Sequence, residues 1–256
     1  MKFAENVKAV RISGPRDVRR AAEAFHRIAI ETANMRVAPC HNIADKRTPV
    51  DADGAILARD VFGWPESDHV WWKNTRIALD SPLTTACRYE SEPFWVNADG
   101  FRTWCPNPYL VAIDLANFEQ RAMTRAAIVV PIHLPFGQIG AVSYNPLDPS
   151  KTDLSPEFER HGDEFAAYAR TFIGTYVHAM GQSQRLPATS RLSKREVECL
   201  RWAAIGKTDH EIGTIMSRSR ATIRFHIHNA SVKLDAVNRS QTVFKAAQLG
   251  YITMPR

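Results

Sequence analysis

Cysteine is scarce in this chain: four residues in 256, Cys40, Cys87, Cys105 and Cys199, with no C-x-x-C pair among them. That scatter argues against a zinc site and for reduced thiols in a cytosol. No apolar run approaches the roughly 18 residues of a membrane span. The opening Met1-Lys2-Phe3-Ala4-Glu5-Asn6 brings an acidic residue at once with no apolar core behind it, unlike a secretory signal. A cytoplasmic chain without a membrane partner is expected. Missing too are the G-x-x-x-x-G-K nucleotide loop, the H-E-x-x-H metal helix and the G-x-S-x-G nucleophile elbow. His69, His133, His161 and His178 are dispersed, as surface or satisfied core histidines are. The expectation is therefore a protein that is not an enzyme and carries neither metal nor cofactor.

Net charge is nearly absent from most of the chain and concentrated at one end. Up to Arg185 there are 21 Lys/Arg against 22 Asp/Glu; from Leu186 onward, twelve against five. The whole basic excess belongs to the terminal segment, as expected if a polyanion is the partner of that part alone.

That segment reads as four short helices. Ser193 precedes Lys194-Arg195-Glu196, the S-x-x-E pattern of a capping box, and Val197, Leu200, Ala203 and Ala204 share one face of a helix closed by Gly206. Thr208 with Glu211 is a second such start, backed by Ile212, Ile215 and Met216. Ser219 opens a third helix, whose apolar side holds Ile223, Ile227, Ala230, Val232 and Leu234. A last helix runs from about Ser240 to Leu249 and ends at Gly250. A helix, a tight turn and a second helix with basic side chains at i and i+4 is the geometry that reaches base edges in double-stranded DNA. Arg224 and His228 share a face suited to the major groove, with Phe225 beside them for a thymine methyl. Arg220, Thr222, Lys233 and Arg239 suit phosphate contacts. The bland alternative is a solvated basic face on a small helical bundle.

Upstream, residues 17–35 form an amphipathic helix with Val18, Ala21, Ala22, Phe25, Ile28 and Ala29 on one side. Pro39, Pro49 and Gly54 mark 38–55 as loop or irregular edge strand. Five of the six tryptophans fall between Phe62 and Trp104. Such density suits a core, or an apolar small-molecule pocket with a polar end near Asp80. Ile128-Val129-Val130-Pro131-Ile132 and Gly140-Ala141-Val142-Ser143-Tyr144 read as strands joined through Pro135-Phe136-Gly137-Gln138. From Ser155 a long helix follows, with Phe158, Phe165 and Phe172 repeating at seven, to pack on the sheet or on a second copy of itself. A polar, Gly/Pro-bearing stretch then marks a domain boundary. The division expected is a sensing domain over 1–180, a linker over 181–191 and a DNA-binding domain over 192–256.

The terminal segment resembles the LuxR-type helix-turn-helix. The likeness is carried by Leu192-Ser193-x-Arg195-Glu196-x-Glu198-x-Leu200-x-Trp202-Ala203-x-x-Gly206-Lys207, Glu211-Ile212, Ser219-x-x-Thr222-Ile223-x-Phe225-His226, Lys233-Leu234 and Asn238-Arg239. It implies DNA binding and makes His226 a packing residue rather than a base reader. More scattered stretches, Trp64-Pro65-Glu66, Ser81-Pro82, Pro93-Phe94-Trp95, Val130-Pro131-Ile132-His133 and Gly137-x-x-Gly140-Ala141-x-Ser143, are similar to the autoinducer-binding domain of the same family, an α/β/α sandwich.

In that domain a Tyr, an Asp-Pro, a Trp and a strand Ser or Thr surround an acyl-homoserine lactone. The resemblance thus implies a small-molecule signal, acyl-homoserine lactone-like or aromatic, held among Trp64, Trp71, Trp72, Asp80, Ser81, Trp95 and Ser143, and a homodimer that reads DNA. Two registers are open. Anchoring on Pro82 sets Ser81 at the family's Asp and Trp72 at its Tyr; anchoring on Asp80 and Trp95 sets Trp71 at the Tyr. Neither places a Trp where relatives hold the lactone carbonyl, since Ser67 or Asp68 stands there, and Ala127 replaces a usual glycine. The alternative expectation is a response regulator, or a ligand-independent regulator, with the same DNA-binding end.

Overall fold

The computed structural model describes residues 2–45, 48–64, 79–181 and 191–253. Trp71, Trp72 and nearly all of the linker expected over 181–191 lie outside them. The chain divides into two compact units that meet in sequence at about residue 182.

In the first unit helices α1 (Lys2–Ala9) and α2 (Val18–Ala33) lead into strand β1 (Met35–Cys40). Short helices α3 (Leu57–Asp60) and α4 (Pro82–Ala86) follow, then strands β2 (Phe94–Asn97) and β3 (Gly100–Thr103). Helices α5 (Pro108–Val111) and α6 (Phe118–Ala122) precede strands β4 (Ala126–His133) and β5 (Ile139–Pro146), and the long helix α7 (Ser155–Ala179) ends the unit. The strands form one antiparallel sheet in the order β1-β5-β4-β2-β3.

Strand β4 shows why both faces of this sheet are covered. Its residues from Ala126 to Ile132 are all buried, the unbroken apolar run of a strand with no solvent side. Ile128, Val130 and Ile132 point to one face with Val142 and Tyr144, and there meet Phe25 and Ile28 of α2 and Phe165, Phe172 and Tyr176 of α7. The Tyr144 ring stacks on Phe165 at 4.2 Å and its hydroxyl donates to the Phe165 carbonyl at 2.8 Å, so a buried polar tip is satisfied. The seven-residue phenylalanine repeat of α7 is thus spent on its own sheet. On the other face Phe94, Val96, Val129 and Ala141 meet Leu83 and Ala86 of α4, Leu110 of α5 and Phe118 of α6. The result is an α/β/α sandwich.

The second unit is helical: α8 (Lys194–Ala204), α9 (Asp209–Met216), α10 (Arg220–Lys233) and α11 (Arg239–Gln248). Both expected capping boxes form. Ser193 Oγ accepts from Glu196 N while Glu196 returns to Ser193 N, and Thr208 and Glu211 repeat the exchange. Ser219 and Asn238 cap α10 and α11 more simply, their side chains accepting from the Thr222 and Gln241 amides. Leu200, Ala230, Leu234, Ala246 and Ile252 form one part of the core, and Cys199, Ile212, Ile223 and Ile227 another.

Candidate functional site

A cavity of about 90 Å³ lies on the α4/α6 side of the sheet. Strand alternation sets its floor. Ala38, Val129, Ala141 and Ser143 project to one face because Ser143 registers against both Ala38 and Val129. Leu83, Thr84 and Cys87 from the α4 segment, Ala122 and Met123 at the end of α6, and Trp64 complete most of the wall, with no charged side chain among the described residues.

Most polar groups in this wall are already engaged. Trp64 Nε1 donates to the Val37 carbonyl at 2.7 Å, and the Arg36 guanidinium lies 5.0 Å above its ring. Ser143 Oγ donates to Asn145 Oδ1 at 3.2 Å, and Thr84 Oγ1 to the Ser81 carbonyl at 3.1 Å. Ser81 differs. It stands at the N-cap of α4 with a proline behind it, yet its hydroxyl makes no capping bond, and the buried Oγ has no hydrogen-bond partner among the described residues. Burial in this apolar surrounding pushes the Cys40 thiol up to about 12 and raises that of Cys87 as well.

Of the residues expected around a ligand, Trp64, Ser81 and Ser143 come together here. Asp80 does not join them: it is exposed, and its carbonyl accepts from Arg121 Nε at 3.0 Å. Trp95 is also elsewhere. Successive strand residues face opposite ways, so Phe94 points to the cavity side while Trp95 joins the α2/α7 core beneath Arg102. Sequence reasoning missed Cys40, Cys87 and Thr84 as wall residues, since small side chains far apart in sequence carry no local signal.

A wider hollow of about 620 Å³ shares Trp64, Met123 and Asn145 with the cavity and adds Arg36, Arg125 and Lys151. Of these cations, Arg125 pairs with Glu119 and Lys151 with Glu157.

In the second unit the turn between α9 and α10 is held tight by Gly213. A Cβ there would sit 2.7 Å from the Arg218 carbonyl oxygen, and Ser217 takes a left-handed φ of 52° to turn the chain. On α10 the buried side is Ile223, Ile227 and Ala230. Arg220, Arg224, Phe225 and His228 are exposed, the Arg224 side chain at 72%. Arg224 Nε approaches Asp209 no closer than 3.9 Å. His226 is half-buried and Thr222 closes the cap with Ser219.

Two residues expected at phosphates make bonds inside the unit. Lys233 Nζ donates to both carboxylate oxygens of the buried Glu196 at 2.8 Å. Arg239 pairs with Asp209 and donates to the Lys207 carbonyl at 2.6 Å, joining α11 to the start of α9. An exposed cation the sequence reading passed over is Arg218, which sits in the turn itself. Among the described residues no group of three or more His, Cys, Asp or Glu could hold a metal ion, and no helix is long and apolar enough to cross a membrane.

Residues 190–246 match the family described as bacterial regulatory proteins, luxR family. The HTH-type quorum sensing-dependent transcriptional regulator RpaR of Rhodopseudomonas palustris is 36% identical over 202 residues, covering 75% of this chain and 74% of RpaR. The similarly described VjbR of Brucella ovis is 52% identical over 151 residues, 59% of this chain and 56% of VjbR. The chain thus spans about half the length of several curated relatives it matches, and three quarters of RpaR. The crystal structure of Escherichia coli SdiA shares the fold at 20% identity, with a TM-score of 0.51 over 98% of this chain and 97% of that one. With a relative more than a third identical along three quarters of both sequences, and a helix-turn-helix that matches the family model, this chain belongs to the luxR family of bacterial regulatory proteins.

Proposed function

We propose that this protein is a ligand-responsive transcription regulator that binds double-stranded DNA as a homodimer. A small signal molecule enters the sandwich and governs promoter binding. The observation that carries the reading is the stripe Arg220, Arg224, His228, spaced i, i+4, i+8 on the solvent side of α10, the second helix of the helix-turn-helix. On that helix Arg224 and His228 read base edges, with Phe225 against a thymine methyl, while Arg220 and Arg218 take phosphates. Thr222 serves the cap. Two copies place two such helices at half-sites about 34 to 36 Å apart.

The signal site of this reading is the cavity walled by Trp64, Ser81 and Ser143, with the outer hollow receiving whatever part of the molecule exceeds it. A cavity of about 90 Å³ is room for a fragment only, so a larger signal extends outward or widens the wall. RpaR and VjbR are described as quorum sensing-dependent, which supports a signal made by cells rather than an internal metabolite.

The test is duplex binding by the full chain across a salt series, together with native mass spectrometry of protein purified from its own host. Salt-sensitive binding and a co-purifying small molecule are expected. A chain that binds no duplex at low salt refutes the DNA assignment, and one that regulates identically with and without host extract refutes the ligand assignment.

A further inference from the structure

We infer that Ser81 is the residue that selects the signal's chemistry: the cavity takes a neutral molecule and its hydroxyl donates a hydrogen bond to an acceptor oxygen, carbonyl or ether, on that molecule. The inference rests on the reading of this cavity as the signal site.

Three observations converge. First, Ser81 is 1% exposed, its Oγ has no partner among the described residues, and it lines the cavity. Second, it stands at a helix N-cap, where a serine hydroxyl ordinarily accepts from the helix amides, and here it does not. A buried serine that forgoes its local bond leaves its hydroxyl for a guest to satisfy. A hydroxyl carries one hydrogen and two lone pairs, so the hydrogen is the group that most needs a partner. The neighbouring Thr84 and Ser143 hydroxyls are occupied by the Ser81 carbonyl and by Asn145. Third, among the described residues no charged side chain lines the cavity, and Asp80 lies exposed outside it. An ion entering here would lose its hydration with no countercharge to offset it. A carboxylate in place of Ser81 could only accept, and would repel a carbonyl; the serine donates.

The experiment uses the full chain with three probes of fragment size: methyl hexanoate, hexanoate and toluene. Binding to wild type, Ser81→Ala and Ser81→Cys is followed by ligand-observed NMR. Wild type is expected to hold the ester at least tenfold more tightly than hexanoate. Ser81→Ala should lose about three- to tenfold for the ester, the worth of one hydrogen bond, with toluene unchanged or tighter. Ser81→Cys keeps the volume and weakens the donor, so it should fall between the two even where the alanine variant folds poorly. If toluene binds but Ser81→Ala and Ser81→Cys hold the ester as tightly as wild type, or hexanoate matches the ester, the inference is overturned and the cavity still stands as a ligand site. If none of the three probes binds, the inference and the ligand-site reading fall together.

Discussion

Lys233 at the end of α10 donates to both oxygens of Glu196 in the first turn of α8, each at 2.8 Å, and Glu196 also accepts from the Ser193 amide at 2.6 Å. One carboxylate therefore closes a capping box and anchors the end of α10. Burial alone would raise the Glu196 pKa. The bond from Lys233, the two with Ser193 and the lysine's charge outweigh it, and the carboxyl titrates below its ordinary 4.5.

Lys233→Ala leaves a buried carboxylate short of its cation. The expected loss is about 1 to 3 kcal/mol in chemical denaturation. The slope of DNA affinity against salt should stay as in wild type, since the Lys233 ammonium is held by Glu196. A reduced slope with unchanged stability would return Lys233 to the interface.

Arg224→Ala should cost about 1 to 3 kcal/mol on a selected operator and relax preference at one base position. Arg220→Ala should weaken all duplexes alike and lower the salt slope by about one. Footprinting titrations on matched and mismatched duplexes separate the two. An Arg224→Ala protein that footprints at wild-type concentrations removes the assignment of the reading face.

Acid should loosen the second unit through Glu196. Its folded pKa is depressed, so its contribution is complete above the unfolded value near 4.5 and is lost as pH falls through the lower folded value. Thermal melts from pH 6 down to about pH 3 should show the loss beginning below about pH 4.5, and Glu196→Gln should flatten that limb. A Glu196→Gln protein with the same acid profile as wild type refutes it.

Gly213→Ala puts a methyl 2.7 Å from the Arg218 carbonyl, with backbone rather than a flexible side chain in the way. The turn must open, at a cost of about 1 to 3 kcal/mol, and duplex affinity should fall with the displaced α10. Wild-type melting and binding together would show that the turn has slack.

Cys105 is exposed, whereas Cys40 and Cys87 are buried with thiols held protonated by their apolar surroundings. Native protein should react with a thiol reagent first at Cys105, and far more slowly at the cavity pair, by peptide mass mapping. Equal rates at all three would mean that the wall opens freely.

Much of this was legible from spacing. The two capping boxes, Gly206, Ser219 and the β4–β5 hairpin are carried by contacts within a few residues, and local chemistry suffices to read them. Burial on one side is legible too, as in the α7 phenylalanines, although a heptad alone did not tell a sheet from a second copy. What stayed hidden were choices between equivalent candidates. Six basic or polar residues of the terminal segment stood together as candidate DNA contacts, and Ser81 and Asp80 offered two registers one residue apart.

The sequence by itself determined the helix-turn-helix, its caps, and the confinement of positive charge to its segment, because each depends on neighbours along the chain. Tertiary structure decided which cations are available. Glu196 and Asp209 lie 37 and 30 residues from Lys233 and Arg239, and only folding brings them within bonding distance. It likewise set Ser81 in the cavity, left Asp80 exposed, and sent Trp95 to the far side of the sheet, since facing depends on strand register and on a helix start that no local pattern encodes.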